Sequence, residues 1–456
     1  MLPVDVILKI AFLLPDFKDV FALIDIFRPQ IAFEPLEDLY QLGLTHDHSS
    51  LWPRLTLDCS MNDTMSITLY ESILKLYSHV LVVDSWYSVD WLKKHLNPTT
   101  TIEWMAQEFP VTLENIHDWA DLPITRLHLS IERDTPQMWK KALPRMHHLK
   151  SLSIGNSSGD IEDIYKIVAE SAQITELEVN PNGFEVDNAE LQHLIEWFHR
   201  QPVRVYADSF TNWKLLDYDL RQELCDVMFN CPTLDRLALT DCDLDDMDFS
   251  EFSFSMNTLQ LYEFCLWKDD LKLLASRLKD SKLTHLELDG YLVGDDFHGM
   301  DSMDYWDYTC GMECLFNALP STSIKSLVIT GDDVWTDNRF YLIPLLFPSN
   351  CRLEKLAANF SYSSPKSRIV EALALSIRKN HTLYEFHLLK SKISIVDMRL
   401  LIQSISDPSR RVKTKRLKWI TRISHPEDES TLKSLEEFAI ECGCEFVQEE
   451  GTETNY

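Results

Sequence analysis

The chain has 456 residues, of which 45% are hydrophobic and 25% charged, so its composition is that of a folded protein. A net charge of −29 argues against nucleic acid as the main partner, because phosphate recognition requires clustered Lys and Arg. No stretch is long enough to span a bilayer and the N-terminus lacks a secretory pattern, so we expect a cytoplasmic or nuclear protein without membrane association. The ten cysteines follow no regular framework, and we expect them to be reduced.

The first residues predict two short helices. Pro3 suits the first turn of one helix, Pro15 ends it, and Asp16 is placed to cap the next. Apolar residues at helical spacing fill both segments. A Leu-Trp phrase at 50–57 then leads into the rest of the chain.

From Trp52 onward one apolar pattern recurs: an apolar residue, two variable ones, an apolar residue, one variable, and another apolar. The fullest copy is Leu234, Leu237, Leu239, Cys242 and Leu244. Segments between copies show helical spacing at 187–199 and 367–377, and an insertion lies around 295–306. The copies lie about 28 residues apart on average and begin at 52, 77, 99, 124, 149, 174, 200, 234, 261, 283, 324, 353, 383 and 414.

This pattern resembles the leucine-rich repeat, and the N-terminal phrase resembles the opening of an F-box. The resemblance implies an α/β fold, a right-handed leucine-rich-repeat solenoid (horseshoe) with a short helical F-box-like cap. We place the F-box-like segment at 1–50, the repeats at 51–447 and a disordered acidic tail at 448–456. After Phe27 the sequence Arg28-Pro29 departs from the usual third helix of an F-box.

The F-box resemblance implies that the N-terminal helices dock a Skp-type adaptor of a cullin complex. An alternative is that the same apolar residues cover the open N-terminal end of the solenoid, and the two roles can overlap. The residues at positions similar to F-box contacts are Leu2, Pro3, Ile7, Ile10, Leu13 and Leu14.

Within each predicted strand, the residues between the apolar anchors alternate away from the core and form a candidate partner-binding stripe. The alternative is that these side chains only solvate the strand face. The candidates are Glu176, Glu178, Arg204, Tyr206, Arg236, Glu263, Trp267, His285, Glu287 and Asp289.

Several motifs point weakly to other functions. The G-x-S-x-G match at 155–159 places Ser157 on a repeat turn, without a Gly-rich oxyanion segment. The aspartates at 241–248 lack the Gly and Glu of a calcium loop, and His46, His48 and Cys59 are too few ligands for zinc. We therefore expect no metal, no cofactor and no enzymatic activity. The basic run at 410–418 is either a nuclear-import signal or a turn followed by a strand face.

These features favour a substrate-recognition subunit of a cullin-type (SCF-like) ubiquitin ligase that holds a target protein on its repeats. The alternative is a stand-alone leucine-rich-repeat scaffold or inhibitor without a ligase partner. The sequence does not identify the target.

Overall fold

The computed structural model divides into two compact units, Met1–Phe184 and Glu185–Tyr456. In both units, strands of a parallel sheet follow one another in chain order and most are separated by helices. The structure describes residues 4–28, 35–58, 64–84, 88–106, 115–130, 136–155, 162–180, 186–209, 213–242, 244, 247–266, 268–291, 305–330, 343, 345, 351–359, 367–389, 393–412, 415–421 and 429–450.

The first unit begins with four helices: α1 (Val4–Ala11), α2 (Phe17–Phe27), α3 (Leu36–Gly43) and α4 (His48–Leu51). Six parallel strands follow, each bonded to the next: β1 (Leu55–Leu57), β2 (His79–Val82), β3 (Thr101–Trp104), β4 (Ile124–Ser130), β5 (Ser151–Gly155) and β6 (Glu176–Asn180). The helices between them in sequence are α5 (Thr64–Ile73), α6 (Val89–His95), α7 (Ile116–Ala120), α8 (Pro136–Ala142) and α9 (Glu162–Glu170).

The second unit contains nine described strands, again parallel and in chain order. They are β7 (Val205–Ser209), β8 (Arg236–Thr240), β9 (Thr258–Cys265), β10 (His285–Tyr291), β11 (Ser326–Ile329), β12 (Lys355–Asn359), β13 (Glu385–Leu389), β14 (Arg416–Thr421) and β15 (Glu445–Glu450). The helices are α10 (Asn188–Arg200), α11 (Tyr218–Asn230), α12 (Lys268–Leu278), α13 (Tyr305–Ala318), α14 (Ser367–Lys379), α15 (Ile395–Ile405) and α16 (Glu429–Glu441).

The strands bury one face of the sheet. In β2, Val80 and Val82 are fully buried, whereas the side chains that alternate with them are half-buried. The buried residues align between neighbouring strands, as Leu327 does with Leu356 and Phe386 in turn. The alternate residues lie on the other side of the sheet, which we call the open face. The predicted α/β repeat of strand and helix is therefore confirmed.

Most predicted strand copies have the register expected from the sequence, but two do not. In β9 the buried residues aligned with Leu237 and Leu239 are Leu259 and Leu261, so this copy begins near Met256 and not at 261. In β7 the buried residues are Tyr206 and Asp208, so this copy begins near Val203 and not at 200.

The C-terminal boundary also differs from the prediction. Strand β15 pairs with β14 and runs to Glu450, so the proposed start of an acidic tail at 448 falls inside a strand. The remaining residues, 451–456, lie outside the described ranges. Among the helices that the structure does describe, none has the length and apolar content of a bilayer span.

Candidate protein-binding surfaces

One side of α1 packs against the chain's own first repeat. Ile7 and Ala11 are buried, and the Trp52 indole Nε1 donates a hydrogen bond to the Leu14 carbonyl at 2.8 Å. The Phe12 ring lies 4.7 Å from the Trp52 ring, centroid to centroid, and 5.9 Å from the Tyr77 ring. These contacts fix the end of α1 on the join between the helices and the sheet.

Apolar side chains of α1 and of the two residues that follow it are partly in solvent. Leu13 is 81% exposed and Val6 is exposed, and Phe12 remains 38% exposed beside its contacts with Trp52 and Tyr77. An open groove of about 510 Å³ adjoins them, lined by Leu8, Lys9, Phe12, Leu13, Lys75 and Leu76. A groove with apolar walls and two lysines can receive an apolar side chain from a partner.

The predicted adaptor-binding residues therefore have different environments. Leu13 is exposed, Ile10 and Leu14 are half-buried, and Leu2 and Pro3 lie outside the described residues. Ile7 packs inside the chain's own core, so its prediction as a contact is wrong for this conformation. Val6 and Phe12 were missed because they fall between the F-box-like positions.

Helix α2 begins as the sequence predicts, because the Asp16 side chain accepts a hydrogen bond from the Lys18 N–H at 2.8 Å. Where the sequence departs from the F-box pattern, Arg28 joins α2 to α3. Its Nε and Nη2 donate to the two Glu37 carboxylate oxygens at 3.0 Å each, and its guanidinium lies 3.8 Å from the Tyr40 ring centroid. The hydrogen bond from Arg28 lowers the pKa of Glu37.

On the open face of the first unit, charged side chains pair across strands. Glu103 accepts a hydrogen bond from Arg54, and one of its oxygens lies 3.3 Å from His79 Nε2. Arg126 Nη2 donates to Glu176 Oε2 at 3.2 Å. Glu176, a predicted partner-binding residue on β6, is thus already engaged by Arg126 of β4, across the intervening strand β5.

In the second unit, β8, β9 and β10 share a polar network on the open face. Arg236 Nε donates to Gln260 Oε1 at 2.7 Å, and Gln260 Nε2 donates to Glu287 Oε2 at 2.7 Å and to the Tyr262 hydroxyl at 2.8 Å. Burial, and then the charge of Glu287, raises the pKa of Tyr262, so its hydroxyl stays protonated. Burial lowers the pKa of His285.

Further along this sheet, ion pairs join β12 to β13 and β14 to β15. Lys355 Nζ lies 3.0 Å from Glu385 Oε2, His387 Nε2 lies 2.6 Å from Glu385 Oε1, and Arg416 Nε lies 2.9 Å from Glu445 Oε2. Burial alone would raise the pKa of Glu385, but hydrogen bonds from Lys355 and His387 lower it. Glu385 and Glu445 are therefore already paired with cations on this part of the open face.

The structure corrects part of the predicted stripe. Tyr206 is fully buried and its hydroxyl donates to Asp208 Oδ2 at 2.7 Å, so its prediction as a surface contact is wrong. Glu263 is exposed, but it lies at a strand irregularity with φ of 48° and not between two anchors. Arg204 is exposed before β7, and Trp267 lies outside the described residues. The remaining predicted residues are half-buried and occupy open-face positions of their strands. They are Glu178, Arg236, His285, Glu287 and Asp289.

The residues considered for catalysis or metal binding have ordinary structural contacts where they can be described. Ser157 and three of the aspartates at 241–248 lie outside the described residues, and Asp248 accepts a hydrogen bond from the Ser250 N–H. The His48 ring stacks on Phe21 at 3.7 Å and its Nε2 lies 3.0 Å from the Gly43 carbonyl oxygen. The described part of the chain contains no group of three or more His, Cys, Asp or Glu placed to hold a metal ion.

The basic run at 410–418 contributes to the fold. Arg410 is only 3% exposed and donates to the carbonyls of Asn380 at 2.8 Å, Ile405 at 2.6 Å and Leu383. Lys415 Nζ donates to the Ser406 carbonyl at 2.9 Å. Because an import receptor would need these side chains accessible, the folded chain favours the turn and strand interpretation of this run.

Comparison of the sequence with protein-family models finds no matching family, and comparison with curated proteins finds no significant match.

Proposed function

We propose that this protein is a substrate-recognition subunit of a cullin-type ubiquitin ligase in the cytoplasm or nucleus. Its N-terminal helices dock a Skp-type adaptor, and its repeats hold a target protein. The subunit makes and breaks no bonds. It raises the effective concentration of the target near a ubiquitin-charged enzyme, which is a proximity mechanism.

The observation that carries this proposal is the concentration of exposed apolar side chains on the N-terminal helices. Among the described residues, large exposed hydrophobic side chains are otherwise spread over the whole chain, yet five lie in the first 44 residues. Exposed apolar side chains this frequent in one short segment of the chain favour a protein-protein contact. The five are Val6, Phe12, Leu13, Ile26 and Leu44.

The target-binding part of the proposal uses the open face. The network of Arg236, Gln260, Tyr262 and Glu287 holds half-buried polar groups in fixed positions on three adjacent strands. A preorganised set of donors and acceptors lowers the ordering cost of binding. We therefore place target recognition on this face of the second unit.

The alternative function, a repeat scaffold or inhibitor without a ligase partner, also has a specific observation in its favour. Ile7, Ala11 and Phe12 pack against the first repeat through Trp52 and Tyr77, so α1 covers apolar groups at that end of the sheet. Covering the sheet accounts for the buried side of α1. It leaves the exposure of Leu13 and Ile26 unexplained, and the ligase proposal gives those side chains a partner.

The test is co-purification of the full chain with a Skp-type adaptor. Leu13→Asp should abolish adaptor capture, because a charge at the centre of an apolar interface is left desolvated and unpaired. Val396→Asp is the matched control, since Val396 is 78% exposed on α15 and lies in the other unit. This control should capture the adaptor as the unmodified chain does, and both variants should melt within about 2 °C of it, because surface substitutions rarely alter stability.

If the unmodified chain retains no Skp-type adaptor, the ligase proposal is wrong and the scaffold or inhibitor alternative remains. Equal loss of capture in both variants would show that the effect comes from general surface charge and not from the contact made by Leu13.

A further inference from the structure

The groove beside α1 is a preformed cleft in the first unit. Leu8, Phe12 and Leu13 line it from α1 and the residues that follow this helix, and Leu76 lines it from the 3₁₀ turn after α5. The Phe12 ring is held against the Trp52 ring by the chain's own packing. An apolar wall that is already fixed lowers the ordering cost of binding. The groove can therefore receive apolar side chains without a rearrangement of the fold.

Two lysines also line this groove, and the described part of the chain neutralises neither of them. Lys9 lies on α1 and Lys75 on the 3₁₀ turn, and both side chains are exposed. No carboxylate of the described residues lies within ion-pair distance of either lysine. On α6, by contrast, Lys93 Nζ lies 2.8 Å from Asp118 Oδ1. A chain with 72 acidic and 43 basic residues thus places two uncompensated cations beside one apolar groove.

These lysines select an acidic occupant. A partner that covers the groove removes water from the Lys9 and Lys75 ammonium groups, which costs free energy unless each ammonium gains an opposite charge. Carboxylates beside the apolar side chains of the occupant would supply that charge, whereas lysine or arginine at the same positions would be repelled. Charge complementarity therefore identifies a segment that is apolar on one side and acidic at its margins.

The charge of the whole chain separates a short protein segment from a membrane surface. An anionic lipid surface would also attract Lys9 and Lys75, but it extends well beyond about 8 Å, the distance over which physiological salt screens a charge. Such a surface would also meet the rest of a chain of net charge −29, which repels it. A short segment is attracted to the two lysines and is screened from most of the remaining charge. These observations favour a protein segment over a membrane.

The elements that line the groove indicate the form of this segment. They are the helix α1 and a 3₁₀ turn, and neither offers the unpaired strand edge that strand addition requires. Affinity must then come from side chains, as it does when an amphipathic helix lays its apolar face in a groove. A helix with carboxylates beside its apolar face meets both requirements.

We propose that the groove beside α1 binds an acidic amphipathic helix of the partner that docks on the N-terminal helices. The apolar side chains of this helix lie against Phe12 and Leu13, and its carboxylates pair with Lys9 and Lys75. This inference rests on the proposed function, because it assigns a chemistry to the docking partner.

The probe is a short fluorescein-labelled helical peptide of leucine, alanine and glutamate, with leucines on one face and glutamates beside them. It is titrated against the full chain, and fluorescence anisotropy reports binding. We expect saturable binding that weakens as salt is added, because salt screens the attraction between exposed charges. A matched peptide with lysine in place of glutamate should bind at least about tenfold more weakly.

The double variant Lys9→Glu with Lys75→Glu reverses the charge of the groove. It should bind the glutamate peptide at least about tenfold more weakly than the unmodified chain and should prefer the lysine peptide. The matched control is Lys94→Glu with Lys150→Glu, which changes the net charge equally at two exposed lysines outside the groove lining. This control should bind both peptides as the unmodified chain does. Thermal melting shows whether each variant remains folded.

A second double variant, Lys9→Gln with Lys75→Gln, removes the two charges without adding carboxylates. It should lose the preference between the two peptides while it retains the apolar walls. If it still prefers the glutamate peptide by about tenfold, the lysines do not select the occupant and the proposal is wrong.

The remaining outcomes separate this inference from the proposed function. If the unmodified chain captures a Skp-type adaptor but binds the two peptides equally, this inference is wrong and the proposed function stands. Preference for the glutamate peptide without adaptor capture supports the acidic occupant and overturns the ligase proposal alone. Equal loss of binding in the charge-reversed variant and its matched control would overturn the inference. So would sedimentation of the chain with vesicles of phosphatidylserine and phosphatidylcholine that the charge-reversed variant loses, because the occupant would then be a membrane.

Discussion

At the scale of single residues, burial separates leucines that have the same chemistry. Leu237 is fully buried on β8, whereas Leu215 is 80% exposed before α11. Leu237→Asp should lower the free energy of unfolding by about 3 to 5 kcal/mol, because it leaves an unpaired carboxylate in an apolar core. Leu215→Asp should change it by less than about 0.5 kcal/mol. Urea unfolding of both variants provides the comparison, and similar losses would mean that the assigned register of β8 is wrong.

Histidines on the open face make stability depend on pH. Burial lowers the pKa of His285 from its ordinary value of 6.5, although Glu287 opposes this shift and Lys355 adds to it. Below pH 6.5 the unfolded state therefore binds more protons than the folded state. The contribution of His285 to stability is complete above that pH, and it is lost as the pH falls through the lower pKa that His285 has in the folded state. When the pH is lowered from 7.5 to 5, we expect the melting temperature of His285→Gln to fall less than that of the unmodified chain.

The control for this prediction is His148→Gln, because His148 is an exposed histidine of the first unit. If acidification lowers the melting temperature of His285→Gln and of the unmodified chain by the same amount, proton binding at His285 does not contribute to the loss of stability at low pH.

At the scale of elements, α10 shows how local sequence fixes a helix start. The Asp187 side chain accepts from the Glu190 N–H at 2.9 Å, and the Glu190 side chain accepts from the Asp187 N–H at 2.7 Å. This is a capping box. Asp187→Ala should cost about 1 kcal/mol, and Asp187→Asn should retain most of the stability because asparagine also caps helices. Urea unfolding measures both variants, and an equal loss in the two would show that the cap contributes little.

The strands show what apolar spacing can and cannot predict. Spacing located β5, β6, β10, β11, β12 and β13 because each has two buried apolar residues separated by one position. It misplaced β9, because Leu261, Phe264 and Leu266 also have the spacing of a repeat copy although Phe264 and Leu266 lie beyond the strand irregularity. The alternation Thr258-Leu259-Gln260-Leu261 was the signal that would have found the correct register.

The β7 error has a different physical origin. Its third inward position is Asp208, a carboxylate buried where leucine is usual and bonded to the Tyr206 hydroxyl. A pattern that requires apolar residues cannot detect such a substitution. For the same reason the sequence could not predict which open-face charges are neutralised, since pairs such as Lys355 and Glu385 meet only when the strands are in register.

At the scale of the whole molecule, acidic charge and repeat architecture act together. A net charge of −29 on a parallel sheet with an open face favours partners that bring basic groups. The groove beside α1 differs from this average, because it contains Lys9 and Lys75 within apolar walls.

The order of the strands also determines how the chain reaches its fold. Every described strand pair within a unit joins neighbours in sequence, so each pairing closes a loop of only a few tens of residues. The entropic cost of loop closure grows with loop length, not with total chain length. Each unit can therefore fold by successive additions, and its early strands can form during synthesis while later ones are still in the ribosome.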